Sequence, residues 1–77
     1  MSWIENKKTL QRTFEFKDFS EAFAFISRVA LLAESQQHHP TIENTFNKVT
    51  LTLSTHDADN TVTQKDRDLA ETINALL

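Results

Sequence analysis

The chain has 77 residues, a formal net charge of -3, no Gly and no Cys. That length allows one domain, residues 1–77, whose core buries only about 60 to 65% of the unfolded surface. The missing cysteines exclude disulfides and thiolate metal sites, and the missing glycines exclude the P-loop and the Rossmann fingerprint, which need glycine where backbone approaches phosphate. No basic cluster exceeds Lys7-Lys8, so the chain carries no electrostatic footprint for nucleic acid. No apolar run approaches the 18 or so residues of a membrane span, and the start Met1-Ser2-Trp3-Ile4-Glu5 lacks the charged-then-apolar order of a leader, so a cytoplasmic protein is expected.

The first element is a short strand near residues 3–5, then a polar turn at Asn6-Lys7-Lys8 and a second strand over residues 9–16. In that second strand Leu10, Arg12, Phe14 and Phe16 alternate with Thr9, Gln11, Thr13 and Glu15, the period of a half-buried antiparallel strand, and Arg12 is its misfit. Asp18 is placed to cap a helix, with Glu21 reaching back in a capping box, and the helix should run to about Gln36. Its apolar face reads as Phe19, Ala22, Phe23, Ile26, Val29, Ala30 and Ala33. Phe25 and Leu32 fall off that face and are expected to form a helix-to-helix subunit contact, the alternative being an incidental exposed pair. Pro40 disfavours helix at His39, so His38 and His39 stand at a forced bend.

Residues 41–46 look extended, Asn44 to Asn47 offer turn residues, and residues 48–55 alternate again, with Val49, Leu51 and Leu53 on one side. This predicts a hairpin. The polar stretch 56–62 follows, and Thr63 with Asp66 marks a capped helix carrying Leu69, Ala70, Ile73, Leu76 and Leu77. The order β-β-α-β-β-α predicts an α+β fold, a four-stranded antiparallel sheet with helices on one face. A core this small suggests oligomerisation.

All three histidines lie within a stretch that also holds spaced carboxylates, which points to proton transfer or metal ligation. Glu34 and His38, four apart on a helix, would be neighbours, so the carboxylate could fix the imidazole's tautomer or simply form a surface pair. His56 follows a strand end, where scaffolds present reactive groups. Asp66 at the third helical position would serve the cap whether or not it met a ligand, and Phe46 could be core or a ligand platform. Three imidazoles plus water would also make an open zinc site. The run Asp57-Ala58-Asp59-Asn60 lacks the glycine and distal Glu of a calcium loop and reads as solvated.

The pattern Glu34-x3-His38-His39-Pro40-x5-Phe46-x9-His56-x9-Asp66 resembles the signature of the pterin-4a-carbinolamine dehydratases (4a-hydroxytetrahydrobiopterin dehydratases). Further blocks agree in order: Phe14-Glu15-Phe16-Lys17-Asp18-Phe19, Arg28-Val29-Ala30, Phe46-Asn47-Lys48-Val49 and Leu53-Ser54-Thr55-His56. The resemblance implies loss of water from 4a-hydroxytetrahydropterin to give quinonoid dihydropterin, in support of tetrahydrobiopterin recycling and without metal or organic cofactor. It implies that His38, His39 and His56 are catalytic, with Glu34, Asp66 and Phe46 as substrate-binding or orienting residues, Glu34 orienting an imidazole and Asp66 ordering the site rim or the His56 loop. It also implies a homodimer or homotetramer in which helices pack between dimers. Animal members additionally serve as dimerisation cofactors of a transcription factor, so a non-catalytic interaction module is the alternative.

Several positions depart from the family pattern. Relatives usually carry another helix before the position of Trp3, whereas this sequence begins near that tryptophan, which reads as a short form. Thr41, Ile42 and Gln37 replace the usual acidic residue, tryptophan and Asp or Asn around the histidine pair. These changes touch the rim and would bear on affinity more than on chemistry.

Overall fold

The computed structural model describes residues 3–77; Met1 and Ser2, on which the leader reading partly rests, lie outside them. Chain order is β1 (Ile4–Glu5), β2 (Leu10–Glu15), α1 (Phe19–Gln36), β3 (Thr41–Thr45), β4 (Lys48–Leu53), a 3-10 turn (His56–Ala58) and α2 (Gln64–Asn74). The strands form one antiparallel sheet in the order β1-β2-β4-β3. The expected α+β architecture is therefore present. Among the described residues no helix is long and apolar enough to cross a membrane.

Register follows from the alternation. Leu10 pairs with Leu53 and Phe14 with Val49, so the apolar residues of β2 and β4 share one face. That face meets Ala22, Phe25 and Val29 of α1 and Leu69, Ala70 and Ile73 of α2, all buried in one cluster. The opposite face is rich in hydroxyls, where Thr13 bonds Thr50 at 2.9 Å and Gln11 donates to Thr52 at 3.0 Å. Arg12 points to the core side as the alternation requires. Its guanidinium lies 4.5 Å over the Phe14 ring, and Nη1 donates to Asn74 Oδ1, which also accepts from Trp3 Nε1. The misfit thus ties β2 to the end of α2, its guanidinium lying over an aromatic ring and its Nη1 bonded to an amide, while its Nε is buried with no hydrogen-bond partner among the described residues.

Helix α1 starts and stops near the expected residues, and it buries Ala22, Val29 and Ala33 of the expected face but is rotated so that Phe25 joins them in place of Phe19 and Phe23. Asp18 Oδ1 accepts from the Glu21 amide at 2.8 Å, and the Glu21 carboxylate reaches back to the Lys17 amide, one residue before the cap. Phe25, expected at a subunit contact, is 2% exposed and wedged between Phe14 and Phe16, with ring centroids 4.8 and 4.9 Å away. Leu32 packs on the same core. Phe19 and Phe23, read as core, are instead 51% and 54% exposed, and Leu31, further along the helix, is exposed as well. Both stripes satisfy the 3.6-residue period. The aromatic pair of Phe14 on β2 and Phe16 just after it decides between them, because burying Phe25 there gains two ring contacts beyond its area.

Candidate active site

The helix ends one step earlier than proline alone would dictate. Gln37 adopts a left-handed conformation (φ 51°), its amide donates to the Glu34 carbonyl, and the His38 amide donates to the Ala33 carbonyl at 3.0 Å. This pair of bonds is the Schellman closure, here built on a non-glycine residue because the chain has no glycine to supply. The reversal at Gln37 breaks the helical register before the histidines. Pro40 then starts the run into β3.

Consequently Glu34 does not meet His38. Its Oε1 accepts from His39 Nε2 at 2.9 Å, with both side chains more than half exposed. An exposed pair of this kind orients the ring more than it stabilises the fold. His38 turns towards α2, and its Nε2 lies 2.5 Å from Asp66 Oδ1. The His38 side chain is 11% exposed and Asp66 is fully buried.

Asp66 is more than a cap. Its Oδ2 accepts from the Thr63 amide at 2.9 Å, which is the helix-capping bond, and also from the Thr55 hydroxyl at 2.7 Å. Burial pushes the Asp66 carboxyl up, but hydrogen bonds from His38, the Thr63 amide and the Thr55 hydroxyl, with the attraction of His38, outweigh it and hold the carboxyl below its usual range. Asp66 is therefore ionised at neutral pH. A carboxylate only accepts, so Nε2 of His38 carries the proton it shares, and Nδ1 is left available to a ligand.

The three histidines line one open cleft of about 580 Å³, where β3 begins and β4 ends. Its walls also carry Thr41 and Thr52 from the strands, Ser54, Thr55, Asp57 and Asn60 from the segment after β4, and Lys65 from α2. His56 enters as the exposed first residue of the 3-10 turn. His38, His39 and His56 all border this one space. Among the described residues no group of three or more His, Asp or Glu side chains is arranged to hold a metal ion.

Phe46 is not among the residues lining the cleft. It falls in the two-residue turn joining β3 and β4 rather than in the strand, with φ 50° and 63% exposure. The cleft takes Thr41 from the other end of β3, about 15 Å away at the usual rise per residue. Phe46 is neither core nor cleft wall. Its turn is held by Asn44, whose side-chain amide donates to the carbonyls of Phe46 and Lys48.

Sequence reasoning passed over Thr55 and Lys65. Thr55 is 6% exposed and bonds partners eight and eleven residues away. No periodicity marks such a residue; its one signal was the place beside His56.

Comparison with known proteins agrees with the fold. The family model described as pterin 4 alpha carbinolamine dehydratase matches residues 1–76. A Prochlorococcus marinus (strain NATL2A) protein provisionally named a pterin-4-alpha-carbinolamine dehydratase is 47% identical over 76 residues, covering 99% of this chain and 79% of that protein. A provisionally so named protein of Rhodopseudomonas palustris (strain BisB18) is 50% identical over 75 residues, covering 97% and 73%. Among solved structures, a transcriptional coactivator/pterin dehydratase from Brucella melitensis superposes with a TM-score of 0.88 at 42% identity, over 96% of this chain and 80% of that one. A pterin dehydratase-like protein identified as a RuBisCO assembly factor in the alpha-carboxysome superposes with a TM-score of 0.82 at 28% identity, over 99% and 89%. An α+β protein with an imidazole-lined cleft at the sheet's end is the class these features define. The chain belongs to the pterin-4a-carbinolamine dehydratase family.

Proposed function

We propose that this chain dehydrates 4a-hydroxytetrahydropterin to quinonoid dihydropterin by histidine general acid and base catalysis. The observation that carries this reading is the meeting of His38, His39 and His56 on one polar cleft, with His38 backed by a buried, ionised Asp66. In the reaction the bond from C4a to the hydroxyl oxygen breaks and water leaves with a proton from the general acid. The ring gives up a proton to the base as the new double bond forms, so charge and atoms balance without a redox partner. Proton transfer of this kind contributes about 100- to 10,000-fold in rate.

His38 and His56 are the proton-transfer groups on opposite sides of the pterin, and His39, steadied by Glu34, holds and polarises it. Asp66 orients His38. Purified protein should accelerate dehydration above buffer, and His38→Ala and His56→Ala should each lose about 100-fold or more in kcat. Near-normal turnover in either variant would sink that role, and no acceleration by the parent protein would sink the enzyme reading. The working setting is a cytoplasmic homo-oligomer.

A second reading, a non-catalytic interaction module, is favoured by one feature, the exposed Phe19, Phe23 and Leu31 on α1. Its relatives by fold include proteins named for coactivation and assembly. A stable complex with another protein in the absence of any turnover would select it.

A further inference from the structure

The bonds around Asp66 have a direction. An ionised carboxylate cannot donate, so the Thr55 hydroxyl, 2.7 Å from Oδ2, must commit its one proton to Asp66. The 2.6 Å contact between the hydroxyls of Thr55 and Thr63 could run either way in isolation. With the Thr55 proton committed, Thr63 has to be the donor. The chain therefore runs from Thr63 to Thr55 to Asp66, while His38 donates from the other side at Oδ1. Thr55 and Asp66 are both buried, so solvent competes little for these bonds, and each is stronger for being made in a low local dielectric.

Two donors on Oδ2, the Thr55 hydroxyl and the Thr63 amide, set the rotation of the carboxylate. That rotation decides where Oδ1 meets His38. We infer that Thr55 is a positioning residue, which through Asp66 keeps the proton of neutral His38 on Nε2 and leaves Nδ1 as the nitrogen that exchanges protons with the substrate. The inference rests on the dehydratase reading for its catalytic consequence, but the tautomer itself is a property of the resting protein.

Without the Thr55 hydroxyl, Oδ2 retains only the amide donor and the Thr63 hydroxyl loses its acceptor. The carboxylate is then free to turn, and the imidazole has no single partner to fix its proton. The test is two-bond proton–nitrogen correlation across the His38 ring in nitrogen-15-labelled protein, recorded with the ring neutral, together with steady-state dehydration. Wild type and Thr55→Ser should show Nε2 protonated and Nδ1 bare, because serine keeps the hydroxyl. Thr55→Val should show mixed tautomers and lose about 10- to 100-fold in kcat with KM within about twofold, since a lost direct ligand contact would raise KM instead. A wild-type ring protonated at Nδ1, or a Thr55→Val protein that keeps both the wild-type ring spectrum and kcat, would overturn the inference. If Thr55→Val does not fold, Thr55→Ala, which also lacks the hydroxyl, takes its place with the same expected tautomer mixture and loss of kcat, and a wild-type ring spectrum with unchanged kcat in that variant overturns the inference. An Nε2-protonated His38 that becomes mixed in Thr55→Val, in a protein without turnover, would support the positioning role and remove the dehydratase reading alone.

Discussion

Replacing Asp66 with alanine would strip a fully buried position of three hydrogen bonds at once, leaving the Thr63 amide, the Thr55 hydroxyl and His38 Nε2 without their acceptor. The expected loss is about 2 to 4 kcal/mol, measurable by urea unfolding, because buried groups robbed of a partner carry their full desolvation cost. The same carboxyl makes stability depend on pH. Its folded value lies below the unfolded one, so its contribution is complete above the ordinary carboxylate range, roughly pH 5 and up, and is lost as pH falls through the lowered folded value. The stability gap between wild type and Asp66→Asn should therefore shrink on acidification below about pH 4; a gap constant down to pH 2 would contradict the ionised assignment. Residue type and spacing announced Asp66 as a cap, and that was correct as far as it went. Its bond to His38 spans 28 residues and its bond to Thr55 spans 11, and no local pattern encodes either.

Helix α1 shows at the level of the element why a periodic pattern underdetermines a buried face. Its length, its Asp18 cap and its end at Gln36 were legible because capping and termination are local. Its rotation was not, since the sequence offers two overlapping apolar stripes and only the rings of Phe14 on β2 and Phe16 just after it select Phe25. Phe25→Ala should cost about 3 to 5 kcal/mol. That is comparable with the whole stability expected of a chain this short, about 4 to 11 kcal/mol. Circular dichroism should accordingly show a protein largely unfolded or melting far below wild type, and a melting curve within a few degrees of wild type would refute the packing described. The same left-handed step at Gln37 that ends α1 also redirects the histidines, which is why Glu34 serves His39 and Asp66 serves His38.

At the scale of the whole molecule, one sheet face is covered by helices and the outer side of α1 is not. Phe19 and Phe23 stack at 5.9 Å on that outer side, with Leu31 further along the helix, and all three are exposed. A domain with so small a core gains most by covering such a surface, so association of copies is expected through this face and not through Phe25 and Leu32. Phe23→Asp should lower the molecular mass seen by sizing chromatography while leaving the far-ultraviolet circular dichroism unchanged; an unaltered mass would rule this face out. The amino-acid sequence by itself determined the order and type of the elements, both helix caps, the apolar face of the sheet and the family signature, because each is written in local periodicity, capping chemistry or residue spacing. Only the tertiary structure decided which side of α1 is buried, that Phe46 stands away from the cleft, and that a buried carboxylate and two hydroxyls stand behind His38. Those outcomes depend on contacts between distant segments, where packing and the satisfaction of buried polar groups choose among arrangements that local sequence leaves equivalent.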